Sequence, residues 1–177
     1  MINLSDATPF AEGGNRKCYV HPNNPNRCLK VVHHGLLQEI KKNKPWYKRF
    51  RSIDSFDDNL REEQAYKQKA LIKDNPNLWK HLAKWYGMTK TDIGMASETE
   101  LIKNDNQIAE TLENYLFTHG VTEEIKKSIE EFQMWLRENL ILTKNLIPHN
   151  LVLKKQDGKI IIKIIDGLGP QAFIPLH

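Results

Sequence analysis

The chain has 177 residues, and its 26 Lys and Arg against 22 Asp and Glu leave a formal charge of +4. Hydrophobic residues make up 40% and charged residues 27%, the ordinary range for a globular chain long enough for one core or two small lobes. No run of about 18 uncharged apolar residues occurs, and Met1-Ile2-Asn3-Leu4-Ser5-Asp6 has neither a basic start nor an apolar signal core, so a soluble, cytoplasmic chain without a transmembrane segment is expected.

Residues 17–21 and 27–32 read as strands around Pro22-Asn23-Asn24-Pro25-Asn26, a cluster of turn residues that predicts a hairpin. Glu12-Gly13-Gly14-Asn15 marks an earlier turn, so a strand before Ala11 completes a three-stranded meander. Residues 33–56 have no clear period and read as a long insertion. Within it Lys41, Lys42, Lys44, Lys48, Arg49 and Arg51 occur without an acid, with Trp46, Tyr47 and Phe50 interleaved. Basic residues mixed with aromatics can bind nucleic acid or anionic lipid; the alternative is a solvated loop neutralised by Asp54, Asp57 and Asp58. The pattern turns helical over 57–73, with Asp57 or Asp58 as N-cap and Asn75-Pro76 as the stop. Two further strands are expected over 82–88 and 93–102.

The second half changes period. Ile108, Leu112, Tyr115 and Leu116 predict a helix over 105–118 that ends at Gly120. Thr122-Glu123-Glu124 caps a second helix with Ile125, Ile129, Phe132, Leu136 and Leu140 on one stripe, a core face rather than a partner surface. An irregular stretch, 142–150, leads to strands at 151–154 and 159–165 joined by Gln156-Asp157-Gly158. The order of elements is that of an α+β chain. Cys18 and Cys28 are too few for a disulfide scaffold and show no CxxC spacing, and the adjacent His33-His34 would face opposite sides of a strand, so no zinc site is expected.

Taken singly, these chemical signals are ordinary; their order is not. A glycine-containing turn precedes Arg16-Lys17-Cys18-Tyr19 and His21-Pro22, then a strand lysine in Arg27-Cys28-Leu29-Lys30-Val31-Val32. Arg61-Glu62-Glu63 and Glu100-Leu101-Ile102 follow, and later Pro148-His149-Asn150-Leu151-Val152-Leu153 and Asp166-Gly167-Leu168-Gly169. That succession resembles the protein-kinase-like fold, and over nearly the whole chain it is similar to the small bacterial YrbL family, linked by name to the PhoP regulatory network. The resemblance implies a five-stranded antiparallel N-lobe with one helix (1–102) and a truncated helical C-lobe (103–177), with ATP and Mg²⁺ bound between them.

The resemblance also implies roles for individual residues. Lys30 stands where a kinase lysine neutralises phosphates, held by a helix glutamate, Glu63 in the preferred register with Glu62 as the alternative. Gly13 fills one position of the glycine loop, while Ala11 and Arg16 occupy two others; Arg16 either adds a phosphate contact or blocks the groove. Cys18 and Cys28 form the roof over the adenine and Val152 the floor, with Glu100, Leu101 and Ile102 also among the nucleotide-binding residues. Asn150 and Asp166 are the magnesium ligands, hard oxygen donors suited to that ion. Asn145 occupies the place of the catalytic Asp, and Ile147 that of a phosphate-contacting lysine. An amide cannot take up a hydroxyl proton as a carboxylate can, a loss of about 10²–10⁴ in rate. Only residues 170–177 follow Gly169, too few for the segments that hold a peptide substrate. The expectation is therefore a pseudokinase-like regulatory module or weak phosphotransferase, with a regulatory protein as a further partner. The alternatives are an active kinase of a small acceptor, or an adaptor that binds no nucleotide and works through the basic surface at 41–51.

Overall fold

Strand-forming segments separated by tight turns build an antiparallel sheet within the first hundred residues. Its strands are β1 (Ala11–Glu12), β2 (Arg16–His21), β3 (Asn24–Val32), β4 (Trp85–Thr91) and β5 (Gly94–Glu100), in the order β1-β2-β3-β5-β4. β3 is central, which is why 28–32 are buried on both faces. A computed structural model describes residues 1–13, 15–32, 42–43, 45, 57–72 and 75–169. The expected insertion, apart from 42, 43 and 45, and all of its basic stretch but Lys42 therefore lie outside the described residues, as does 170–177.

The described chain divides into two compact units, one of residues 1–64 and 85–101, the other of 65–84 and the chain from Ile102 on. Residues 65–84, assigned to the first lobe by sequence, thus belong to the second unit. In the first unit, one sheet face buries Leu4, Tyr19, Leu29, Val31 and Ala96, with Ile2, Ala7 and Ile93 packed against them. The N-terminal segment is tied down by Asp92, whose carboxylate accepts from the Leu4 amide at 2.7 Å and the Ser5 amide at 3.1 Å. The Ser5 hydroxyl and the Leu4 amide hold the Asp92 carboxyl below its usual pKa. This tether and the Thr91 Oγ1 bond to the Gly94 carbonyl (2.6 Å) put the β4–β5 turn at Asp92-Ile93, later than the expected 89–92. The edge strand consists of Ala11 and Glu12 themselves, paired with Cys18 and Lys17, rather than of a segment before them.

Asp57 caps helix α1 (Asp58–Tyr66), its Oδ1 accepting from the Asn59 and Leu60 amides at 2.8 and 3.3 Å. The single helix expected over 57–73 is broken: Gln68 bonds back to the Ala65 carbonyl through both its amide and its side chain, and α2 (Lys69–Ile72) starts anew.

The second unit is organised on a hairpin, β8 (Leu151–Gln156) with β9 (Lys159–Ile164), joined by Asp157 (φ 51°) and Gly158 (φ 70°). The first turn of the expected 105–118 helix is instead a small hairpin, β6 (Lys103–Asn104) with β7 (Gln107–Ile108), because Asp105 adopts φ 53°. Helix α3 (Leu112–His119) begins after it, capped by Thr111 Oγ1 on the Asn114 amide. Thr122 caps α4 (Glu123–Asn139) as expected, and Ile125 and Phe132 are buried. Leu140, expected on the same stripe, is 77% exposed because it adopts the left-handed conformation that ends the helix. The buried face instead includes Ser128 and Trp135, which donate to the Ile160 and Asn77 carbonyls at 2.8 Å each. Among the described residues no helix is long and apolar enough to cross a membrane.

Candidate functional site

Alternation along a strand puts residues two apart on one face. On β3 that joins Cys28, Lys30 and Val32, and the register adds Cys18 opposite Lys30 and Arg16 opposite Val32 on β2. The face opposite the Leu29–Val31 core therefore carries two cations and two thiols. Lys30 and Arg16 are 5% and 8% exposed, and such charges stay ionised in the interior only with close counter-charges.

Glu62 supplies that counter-charge to both. Its Oε1 lies 2.5 Å from Lys30 Nζ and its Oε2 lies 2.8 Å from Arg16 Nη1. Asn59, one turn earlier on α1 and 1% exposed, receives a hydrogen bond from Arg16 Nη1 at 3.3 Å. Its Nδ2 donates to the Lys30 carbonyl at 2.8 Å and the Met95 carbonyl at 3.2 Å. The lysine's partner is thus Glu62 and not Glu63, which is half-buried. The reason is helix phase. The buried side of α1 holds Asn59, Glu62, Ala65 and Tyr66, and one residue is a 100° rotation away from it. Part of the signal was present in Ala65 and Tyr66, since counting back three and four from them both lead to Glu62; Leu60, three before Glu63, pointed the other way and is exposed. Arg16 neither lies open in a groove nor faces solvent, because Glu62 and Asn59 hold it inside.

The remaining first-unit candidates are placed as follows. Cys28 is buried and Cys18 half-buried, both free thiols. The hydrogen bond with Cys18, together with burial, pushes the Cys28 pKa well up, so it is a neutral apolar lining rather than a reactive thiolate. The Gly13 amide donates to the Arg16 carbonyl at 2.9 Å, and an added Cβ would meet only that oxygen, at 3.8 Å. Among the described residues nothing in the packing therefore requires glycine at 13. Glu100 ends β5, and the Leu101 amide donates to the Asn26 carbonyl at 2.9 Å.

In the second unit the candidates gather around Gly167. Its carbonyl accepts from the Lys144 and Asn145 amides at 2.7 and 3.1 Å, and Thr143 pairs with Leu168. Gly167 has φ +86°, and a Cβ there would stand 2.3 Å from the Asn145 carbonyl oxygen. Only glycine fits this approach. Asn150 Nδ2 donates to the same Asn145 carbonyl at 2.9 Å. A carbonyl can only accept, so this bond fixes the Asn150 carboxamide with its nitrogen inward and leaves Oδ1 as the outward donor atom. Asp166 Oδ1 accepts from the Gly167 amide at 2.6 Å, and Ile165 N–H donates to the Asn150 carbonyl at 3.0 Å. Asn150 and Asp166 are thereby tied together through 165–167. An oriented amide oxygen and a carboxylate fit Mg²⁺, which takes few protein oxygens and completes its shell with water or phosphate. Among the described residues no group of three or more His, Cys, Asp or Glu is arranged to hold a metal.

Asn145 is exposed at the rim of this loop. His149 Nδ1 lies 3.1 Å from Glu113 Oε2, turned to α3. Val152 is buried with Ala83, Ile102 and Ala109, with Ile165 packed against them, and the Ile102 carbonyl accepts from the Ala109 amide at 2.9 Å.

With this geometry in place, comparison with known proteins is informative. Residues 2–177 match the family described as PhoP regulatory network protein YrbL. The YrbL proteins of Escherichia coli strain K12 and of Shigella flexneri are each 26% identical over 183 residues, covering 99% of this chain and 77% of theirs. Among solved structures, the protein kinase Rad53, residues 1–466 in complex with AMP-PNP, superposes with a TM-score of 0.53 at 14% identity. That match covers 91% of this chain, which spans 37% of the Rad53 chain, and it establishes a kinase-like fold.

Proposed function

Since this chain belongs to the YrbL family of PhoP regulatory network proteins and has a kinase-like fold, we propose that it binds ATP with Mg²⁺ and acts as a pseudokinase-like regulatory module. The observation that carries this reading is the buried Lys30–Glu62 pair at 2.5 Å. A buried ion pair adds little to stability, because desolvation offsets most of the Coulomb attraction. An ammonium held in place by a carboxylate is, however, what a polyphosphate needs on arrival. Asn150 Oδ1 and the Asp166 carboxylate are suited to hold the metal, whose contribution when bound is to neutralise phosphate charge. In the first unit Cys18 and Cys28 offer apolar surface for a base, and Glu100 and Leu101 offer backbone groups. Asn145 argues for regulation over efficient transfer: its carboxamide cannot take the acceptor's proton, leaving positioning and electrostatics alone. A regulatory output calls for a protein partner, in keeping with the family's description as a regulatory network protein.

The direct test is thermal unfolding with ATP and Mg²⁺. Ligand at 100 times its Kd adds about 2.7 kcal/mol, a rise of several degrees for a chain of this size. Lys30→Ala and Asp166→Ala should each abolish that rise, and a wild type that does not respond refutes nucleotide binding. Transfer of γ-phosphate is measured separately. Asn145→Asp should raise a very low rate by about 10²–10⁴; a robust wild-type rate, lost in Asp166→Ala and unchanged in Asn145→Asp, would make the protein a true kinase.

A further inference from the structure

In kinases the lysine–glutamate pair is a switch, made or broken as the helix carrying the glutamate moves and as the activation segment is ordered. The surroundings of Glu62 suit a different arrangement. Both carboxylate oxygens are taken, one by Lys30 on β3 and the other by Arg16 at the start of β2. Arg16 also reaches Asn59, which in turn donates to carbonyls of β3 and β5. Two side chains one turn apart on α1 are thus bonded to three strands of the sheet, and Arg16, Lys30, Asn59 and Glu62 are all buried. Moving the helix away would separate Glu62 from two cations at once and leave the carbonyls of Lys30 and Met95 without the Asn59 amide. Each of these losses strips a buried polar group of a bond it has inside the protein.

We propose that Arg16 and Asn59 are positioning residues that hold α1 on the sheet with the Lys30–Glu62 pair already made, so that the phosphate-binding half is assembled before any nucleotide arrives. This rests on the nucleotide-binding reading only for its purpose; the pinning itself is a property of the first unit. Arginine suits the task because its guanidinium stays charged and spans two acceptors with a planar donor set. At the strand position where a glycine loop would leave space for phosphate, this chain thus carries a strut that orders the lysine beneath it.

Backbone hydrogen exchange across 58–64 reads the pin directly. In the wild type those amides should exchange at the same rate, within about twofold, with and without ATP and Mg²⁺, even at concentrations that raise the melting temperature. In Arg16→Met they should exchange at least tenfold faster in the free protein and slow again when ATP and Mg²⁺ are added, with ATP binding about tenfold weaker than wild type. Arg16→Lys should restore part of both, which a loss of packing alone would not do. Slowing of tenfold or more on adding ATP to the wild type would overturn the proposal, since the helix would then be set by ligand; this arm needs no variant to fold. Unchanged exchange in Arg16→Met would overturn it equally. If ATP binds neither protein, the nucleotide reading fails, while wild type against Arg16→Met without ligand still decides whether Arg16 pins the helix.

Discussion

Replacing Glu62 by Gln keeps its shape and removes its charge, which makes the change a clean probe of the Arg16–Glu62–Lys30 triad. Both carboxylate oxygens accept from cations, at 2.5 and 2.8 Å. In Gln one of them becomes an NH₂ group, so a donor must face a buried cation whichever way the amide turns. Removing one partner of a buried ion pair costs about 3–5 kcal/mol. With an unfolding entropy of about 2.1 cal/mol/K per residue, that is a fall in Tm of about 8–13 °C for the 177-residue chain. Glu130→Gln, exposed on α4, is the control and should cost less than about 1 kcal/mol, below about 3 °C. Thermal unfolding followed by far-UV circular dichroism, with urea unfolding as a second measure, separates the two. The triple variant Arg16→Met, Lys30→Met, Glu62→Leu should recover most of the loss, because a buried triad can be replaced by apolar side chains at little cost. Glu62→Gln and Glu130→Gln melting within 2 °C of each other (on the scale of roughly 2–4 °C per kcal/mol), or a triple variant no more stable than Glu62→Gln alone, would refute the reasoning.

Two further outcomes follow from the second unit. Gly167→Ala places a methyl group 2.3 Å from the Asn145 carbonyl oxygen at φ +86°, so it should cost at least about 2 kcal/mol in urea unfolding and weaken any ATP-Mg²⁺ response; Gly158→Ala, at φ +70° with nothing within 4 Å of the added Cβ, should cost only about 1–2 kcal/mol, and equal losses would mean the loop around Gly167 yields easily. His81 is buried, with its Nδ1–H donating to the Ile162 carbonyl at 2.7 Å, and burial lowers its pKa from the ordinary 6.5. The unfolded chain then takes up the proton first, so this contribution is intact above about pH 6.5 and declines as the pH falls toward the lowered folded value. The Tm of His81→Phe should therefore depend less on pH between about 7 and 5 than that of the wild type; parallel profiles would remove His81 from the acid response.

Much of this was legible in the sequence where short-range chemistry decides the structure. Pro22-Asn23 and Asp157-Gly158 are turns, Asp57 and Thr122 cap helices, and strand alternation places Lys30 on the face opposite Leu29 and Val31. The failures share a different cause. Asp105 in a left-handed conformation replaced the first turn of a helix by a hairpin, and Gln68 broke the helix after α1 by bonding to Ala65. Leu140 had the right spacing for the core stripe but became the residue that ends α4. In each case periodicity carried an element across a point where a left-handed residue or a single hydrogen-bonding side chain ended it.

The candidate site divides along the same line. The amino-acid order alone determined the family, the kinase-like succession of elements and the residue types at the site, including an amide at 145 where a base would act, because these depend on identity and sequence. Only the tertiary structure decided that Glu62 rather than Glu63 meets Lys30, that Arg16 turns inward to share the carboxylate, and that Gly167 must be glycine while Gly13 need not be. A one-residue change of helix phase is a 100° rotation, and what settles that phase is the buried surface α1 is packed on. Local propensity is nearly the same for two adjacent glutamates; the cations waiting on β2 and β3 are not equally near to both.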